Sequence, residues 1–478
     1  MNHAASREAL SWRQAVFYSL GAIASFHLAY TFSKGSFLIA AYLFCLFRLA
    51  NLDSARKAFY VGLAIGMATF APQLGFFWNI FKGAAVALWA VLAFWIALFL
   101  LISRATRTCF GPKIFALLAP FIWIGLEYFR SELYYLRFSW MNVGYVFSNS
   151  PGVLELSKIG VYGMGFLLMA AIGGLSLFQK KISCALTAVF IFILGGVLNI
   201  LPPKSGVGAP GKSIAVAGVQ MEFPPEAGVT FVLDRLIKKH PEAELIVLSE
   251  YAFDGPVPDK VRSWCRKNQK YLIAGGKDLL PEDKYYNTAF VVDPKGEIVF
   301  QQAKSVPIQF FKDGLPATGQ KLWDSPWGRI GICICYDLSY RRVVDELVRQ
   351  GAQAIIVPTM DIVDWGRHQH ELHGRVAPVR AAEYGIPIFR VCSSGISQLV
   401  NAHGGVEISA PFPGDEAMLG GKLEINGGGN LPFDQWLAPF SVGITGLIIV
   451  FIGINTFIQK ARLKTPALKP PPETKAEL

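Results

Sequence analysis

A cysteine can attack a carbonyl when a base removes its proton and a positive group steadies the oxygen anion that forms. The second half of this chain carries residues of those types, each just beyond a short apolar run. Glu250 follows Leu245-Ile246-Val247-Leu248-Ser249, Lys304 follows Glu297-Ile298-Val299-Phe300, and Cys335 closes Arg329-Ile330-Gly331-Ile332-Cys333-Ile334-Cys335. The last run is bounded by Gly328 and by the polar Ser339-Tyr340-Arg341-Arg342, so it reads as a buried strand breaking into a turn. Polar groups that end strands of an α/β sheet can converge at one edge, where such folds expose their chemistry. Taken singly, each is more often a surface charge or a packed thiol. A cationic Lys304 near Cys335 would also lower the thiol pKa.

Two other groups compete for a role. Cys333 lies two residues before Cys335, and residues two apart on a strand share a face, so spacing alone leaves the nucleophile open between them. His368, His370 and His373 could share a helical face. Their pattern is His-Glu-x-His rather than the His-Glu-x-x-His of zinc proteases, and a polar helix face explains it without a metal. The seven cysteines are an odd number, several lie in apolar segments, and no disulfide framework is implied. The Cys333-x-Cys335 pair has no second pair to complete a metal site. No cofactor is expected.

The elements that must position these residues divide the chain. It is 53% hydrophobic and 17% charged, against about 25% charged in soluble domains, which points to a membrane protein. Apolar runs predict membrane helices near 13–32, 36–50, 58–78, 84–103, 113–129, 160–178 and 182–201, with an eighth at 436–458, since about 20 residues cross a bilayer core. The first run lacks a small-residue cleavage site and is read as a span, not a cleaved signal. The net charge of +11 sits beside these runs, which favours membrane orientation and anionic lipid over nucleic acid. One set of loops carries Arg7, Arg13, Arg48, Arg56, Lys57, Arg104, Arg107, Lys113, Lys180, Lys181, Lys460, Arg462 and Lys464; the opposite short loops hold little beyond Lys34 and Lys82. The positive-inside rule then puts both termini in the cytoplasm and residues 212–430 on the far side. Between the fifth and sixth runs, Glu127 to Trp140 mixes aromatic and charged residues. That mixture fits an aromatic belt with a Glu127–Arg130 pair, or a wall of a lipid-binding cleft.

Residues 202–211 read as a linker and 459–478 as a tail, disordered from Lys464 onward. Between linker and eighth run the pattern changes to short strands: 214–219, 245–248, 271–274, 288–292, 298–300, 330–335, 354–357, 386–391 and 398–400. Helices are predicted near 226–239, 257–268, 340–350 and 367–384. The alternation predicts an α/β domain at 212–430, beside a polytopic membrane domain at 1–201 with about eight transmembrane helices in all.

Val247-Leu248-Ser249-Glu250, Gln302-Ala303-Lys304-Ser305-Val306-Pro307 and Gly331-Ile332-Cys333-Ile334-Cys335-Tyr336-Asp337 resemble the three signature segments of the nitrilase superfamily. The resemblance implies an αββα soluble domain and a Glu250, Lys304, Cys335 triad. It favours Cys335 over Cys333. The surrounding helices, with Leu126-Glu127-Tyr128-Phe129-Arg130-Ser131, Phe138-Ser139-Trp140 and Gly160-Val161-Tyr162-Gly163, resemble the apolipoprotein N-acyltransferase family, as do Trp365-Gly366, Arg380-Ala381-Ala382-Glu383 and Ser394-Gly395-Ile396-Ser397. That resemblance implies a monomer in the bacterial inner membrane with its catalytic domain on the periplasmic side. It implies a phospholipid acyl donor, a diacylglyceryl-modified apolipoprotein acceptor, surrounding membrane lipid and no nucleic acid. It also implies supporting or substrate-binding roles for Tyr336, Asp337, Trp140, Trp365, Arg380 and Glu383. A membrane-tethered amidase and a catalytically impaired lipid-binding homologue are the alternatives. The family's carboxylate after Val-Pro has no counterpart in Ile308-Gln309-Phe310, which would change how Lys304 and Glu250 are held.

Overall fold

The computed structural model describes residues 9–151, 156–178, 180–200, 212–425 and 427–464. The expected linker at 202–211 and the tail beyond 464 lie outside these residues.

The first half is helical: α1 (Trp12–Thr31), α2 (Ile39–Leu49), α3 (Ala55–Gln73), α4 (Phe76–Phe81), α5 (Ala84–Tyr128), α6 (Leu156–Leu175) and α7 (Lys180–Ile200). Ser11 opens α1 with a capping box, its hydroxyl accepting from the backbone of Gln14 while the Gln14 side chain returns the bond. The runs expected at 84–103 and 113–129 form one long element with a break at Gly111 (φ 82°, ψ 169°), a conformation only glycine adopts cheaply. Pro112 then starts the second half, where its missing N–H costs nothing. The run expected at 58–78 divides instead. Pro72 sits in the last turn of α3, and after a turn the chain resumes as the short aromatic α4. Among the described residues four helices are long and apolar enough to cross a membrane, at Ala84–Leu133, Lys158–Leu175, Lys181–Asn199 and Asp434–Gln459.

Among its described residues the second half holds twelve strands in two six-stranded sheets. One runs β12 (Met418–Ile425), β1 (Lys212–Val219), β2 (Leu245–Val247), β3 (Tyr271–Leu279), β4 (Tyr285–Val292), β5 (Ile298–Ala303). The other runs β11 (Val406–Ala410), β10 (Ser397–Val400), β9 (Ile388–Cys392), β8 (Ala354–Thr359), β7 (Gly328–Ile332), β6 (Leu322–Ser325). Strand alternation explains the layering. Ile214, Val216, Leu245 and Val247 share a core with Ile330, Ile332 and Ile355 of the other sheet. Their neighbours Ala217, Val219, Ile246 and Leu248 pack outward against α8 (Glu226–Lys239) and α9 (Asp259–Asn268). Gly218 permits the close approach of the sheets, since a Cβ there would lie 2.6 Å from Val391 Cγ2. The second sheet carries α10 (Arg341–Arg349), α11 (Arg367–Gly374) and α12 (Val376–Tyr384), and α13 (Asp434–Lys464) follows the sandwich.

Several expectations change. The helix expected at 367–384 is two helices. Strands β6, β11 and β12 were not anticipated; β12 has a central Gly-Gly pair and acquires its strand form by pairing antiparallel along all of β1. The strand expected at 330–335 ends at Ile332, and Cys335–Ser339 is a turn of 3₁₀ helix. Helix α13 runs to Lys464, past the expected end of the eighth run.

Candidate active site

Glu250 stands just past β2 and Lys304 just past β5, both in the first sheet, whereas Cys335 stands past β7 in the second. The expected single sheet edge is therefore the mouth of a sandwich, and the groups meet because the two sheets stack. Lys304 Nζ lies 2.8 Å from Glu250 Oε1, and both side chains are fully buried. The other oxygen, Glu250 Oε2, accepts from the Met360 backbone N–H at 2.8 Å. Cys335 Sγ points at the Met360 carbonyl, 3.6 Å away. Met360 thus ties carboxylate and thiol to the same strand end. Gly275 makes room for Glu250, since a Cβ there would lie 2.5 Å from Glu250 Cα.

Cys335 has φ +51°, which lifts it out of strand geometry and separates it from Cys333. Cys333 donates its backbone N–H to Ile356 and is wholly inside the core. A shared strand face no longer joins the two cysteines.

The carboxylate missing from Ile308-Gln309-Phe310 is supplied by Asp313. Its Oδ2 accepts from Lys304 Nζ at 2.7 Å and from the Ile308 backbone at 2.8 Å. Its Oδ1 accepts from Asn287 at 2.8 Å and Tyr251 at 2.9 Å. Asn287 also donates to Glu250 Oε1 at 2.6 Å, bridging the two carboxylates. One signal could have found Asp313: it is the first carboxylate after Lys304.

Electrostatics follow from burial. Desolvation pushes Glu250 above its ordinary value; Lys304 opposes this and Asp313 adds to it. Burial works against the Lys304 cation, but Asp313 and Glu250 outweigh it and hold the ammonium well above the usual lysine range. Burial alone would raise Asp313, yet Lys304 holds it low. The Cys335 thiol is pushed well up by burial and then by Glu250, against the pull of Lys304. Lys304 does pull the thiol pKa down as expected, but burial and Glu250 outweigh it, so the net direction is upward, opposite to the lowered value expected.

The remaining expected residues separate into two groups. Tyr336, Trp140 and Trp365 line an apolar cavity of about 110 Å³ with Phe76, Phe81 and Phe310. Its walls come from α4, α5 and the segment 136–140 on one side and from the loops after β5 and β7 on the other. Trp140 packs edge-on to Tyr336 at 5.9 Å and stacks on His373 at 4.7 Å. Gln369 also lines the cavity; its Nε2 donates to Asp361 and its buried Oε1 has no partner.

Asp337, Arg380 and Glu383 stand behind the turn. Asp337 accepts backbone N–H groups of Ser305, Val306 and Ile334 at 2.7–3.2 Å, pinning the loop after Lys304 to the loop of Cys335. Arg380 donates to the Ser339 carbonyl at 2.7 Å and pairs with Glu383, which accepts from Val161 of α6 at 3.0 Å. Trp140 Nε1 donates to Ser339 Oγ at 2.9 Å. Sequence reasoning missed Glu132 and Asp434, which complete this junction: Glu132 accepts from Tyr162 at 3.0 Å, and Asp434 pairs with Arg341.

The three histidines have separate partners. His373 Nδ1 faces Asp361 at 2.8 Å, His370 stacks on Phe412, and His368 reaches Gln73 at 3.1 Å. Among the described residues no group of His, Cys, Asp or Glu is gathered to hold a metal.

The apolipoprotein N-acyltransferase N-terminal domain family matches residues 12–174, and the carbon-nitrogen hydrolase family matches residues 204–411. A Geobacter metallireducens apolipoprotein N-acyltransferase is 23% identical over 78% of this chain and 82% of its own length. The Shewanella oneidensis apolipoprotein N-acyltransferase is 25% identical over 74% and 80%, and that of Rhizobium rhizogenes 27% over 68% and 71%.

Proposed function

The chain belongs to the apolipoprotein N-acyltransferase family, and from that premise we propose that it moves an acyl chain from a phospholipid, through a thioester on Cys335, to the N-terminal amine of a diacylglyceryl-cysteine. It is a bacterial membrane protein with a nitrilase-type domain. We extend this to about eight spans, a periplasmic catalytic domain in the inner membrane, a monomer, and domain limits of 1–201, 212–430 and 436–458, with 202–211 as linker and 459–478 as cytoplasmic tail. Supporting the topology, Arg48, Arg56, Lys57 and Lys113 flank the end of α2, the start of α3 and the break in α5 at Gly111.

In the first half-reaction Glu250 accepts the Cys335 proton and the sulfur attacks the donor's ester carbonyl. The oxyanion is met by Lys304 and by the backbone N–H of Tyr336. An ammonium has three donors, and two of those on Lys304 are taken by Glu250 and Asp313, which leaves one for the oxyanion. When the tetrahedral adduct collapses, the proton on Glu250 passes to the departing glycerol oxygen, and lysophospholipid leaves. In the second half-reaction the neutral amine attacks the thioester. Glu250 takes the proton released on nitrogen, the amide forms, and the thiolate recovers that proton. Catalytic roles go to Glu250, Lys304 and Cys335, substrate contact to Tyr336, Trp140 and Trp365, and positioning to Asp337, Arg380 and Glu383.

One observation carries this reading: Tyr336, the residue after Cys335 of the buried Glu–Lys–Cys cluster, lines an apolar cavity built partly from helices of the first half of the chain. A water-soluble amide has no need of such a wall, whereas an acyl chain does. The test is to incubate the protein with acyl-labelled phospholipid. A hydroxylamine-sensitive label should appear on the wild type and pass to a diacylglyceryl peptide. Label persisting on Cys335→Ala, or free fatty acid as the sole product with peptide present, would overturn the proposal.

A further inference from the structure

A second cavity lies at the opposite end of the helical domain, with a volume of about 340 Å³. Its place follows from the chain path. Helix α6 leaves the sandwich where Val161 meets Glu383 and ends at Leu175, about 21 Å farther along its axis at 1.5 Å per residue. The cavity is formed by the end of α6, the end of α2 and the break in α5 at Gly111. It therefore lies at the membrane surface remote from Cys335.

Its wall is cationic on one side and apolar on the other. Arg48, Arg107 and Lys113 contribute charge, and among the described residues no carboxylate lines it. Asn51 is fixed between two of them, donating to the Arg48 carbonyl at 2.8 Å and accepting from Arg107 Nε. Arg48 Nε is buried and has no hydrogen-bond partner. Like charges gathered in one wall repel one another, and an anion placed among them relieves that repulsion through charge-assisted hydrogen bonds. The apolar side starts with the stacked pair Phe47 and Phe115, 4.9 Å apart, and continues outward through Leu177 and Phe178, which are 50% and 56% exposed.

We infer that this cavity binds the phosphate of an anionic phospholipid, with the acyl chains running outward along Leu177 and Phe178. A free phosphate would answer the positive charge, but it would leave the aromatic side of the wall unused. Basic pockets between helices at this membrane surface suit acidic head groups on charge grounds. The lipid held here is separate from the acyl donor, because Cys335 lies at the other end of the helices. It would tie α2, α5 and α6 together at their free ends.

The full chain in an uncharged detergent is titrated with dihexanoylphosphatidylglycerol, dihexanoylphosphatidylcholine or inorganic phosphate while thermal unfolding is followed. Phosphatidylglycerol should raise Tm at roughly tenfold lower concentration than either of the others. The R48Q/K113Q double variant should need roughly tenfold more phosphatidylglycerol for the same shift. A K34Q/K82Q variant, with charges removed from the opposite end, should respond as wild type does. Acyl-enzyme formation by R48Q/K113Q should be unchanged, which shows that it is folded and separates this site from the reaction. An undiminished response in R48Q/K113Q, or equal potency of the two lipids, would overturn the inference. Inorganic phosphate matching phosphatidylglycerol would identify a simple anion site and overturn its lipid character.

Discussion

Asp313 and Glu250 are two carboxylates sharing one ammonium, buried together where neither can be screened by water. The shared cation opposes the burial that raises Glu250 and holds Asp313 low, while burial first and the charge of Glu250 second push the neighbouring thiol up. Glu250 can act as base only when ionised, and burial raises its pKa above the ordinary glutamate value of 4.5. The rate of acyl-enzyme formation should therefore fall as pH is lowered, with a midpoint above 4.5, when single-turnover labelling is followed across pH. In Asp313→Asn the like charge beside Glu250 is gone, so the acid limb should move to lower pH. The same change removes one partner of buried Lys304 and should cost about 3–5 kcal/mol of stability, read from denaturant or thermal unfolding. An acid limb that stays in place would show that Asp313 is not electrostatically joined to the base. Cys333 offers a contrast: Cys333→Ala should keep acyl-enzyme formation and lose only about 1–2 kcal/mol, as expected for a small packed side chain.

At the scale of elements, the site depends on how strands end. Cys335 leaves its strand through a positive φ, held by Asp337 bridging to the Lys304 loop. On the other sheet, β3 passes so close behind Glu250 that only a glycine fits at 275. Gly275→Ala should push the base away from Lys304 and slow acyl-enzyme formation by at least tenfold, while the opposed half of the site keeps its geometry. Single-turnover labelling of Gly275→Ala measures this, and an unchanged rate would show that the strand yields without moving Glu250. The short α4 is a second such case. Pro72 ends α3 early, and the released turn delivers Phe76, Phe77 and Phe81 to the cavity wall.

For the whole molecule, the Cys335 turn is not a property of the sandwich alone. Arg380 holds the carbonyls of Leu338 and Ser339, Glu383 continues the link to α6, and Asp434 at the start of α13 binds Arg341 and the backbone of Tyr162 and Gly163. Helices from both ends of the sequence thus grip the same turn. Asp434→Asn leaves Arg341, 2% exposed, without its main counter-charge and should destabilise the protein by about 3–5 kcal/mol in thermal unfolding. A Tm equal to wild type would mean that Asp345 alone satisfies Arg341. Sequence by itself determined what local chemistry can encode. Hydropathy marked the helical half, strand-length apolar runs marked most of the sandwich, and residue type at strand ends marked Glu250, Lys304 and Cys335. Period and polarity are properties of neighbouring residues, so they are readable along the chain. What only the tertiary structure decided depends on contacts between residues far apart. These are the stacking of two sheets in place of one edge, the strand form of Gly-rich β12 against β1, the capture of Lys304 by Asp313, and the anchoring of the segment after Cys335 by Glu132 and Asp434. The direction of the Cys335 pKa belongs with them, because burial and the distance to Glu250 set it, and neither is written in the order of the residues.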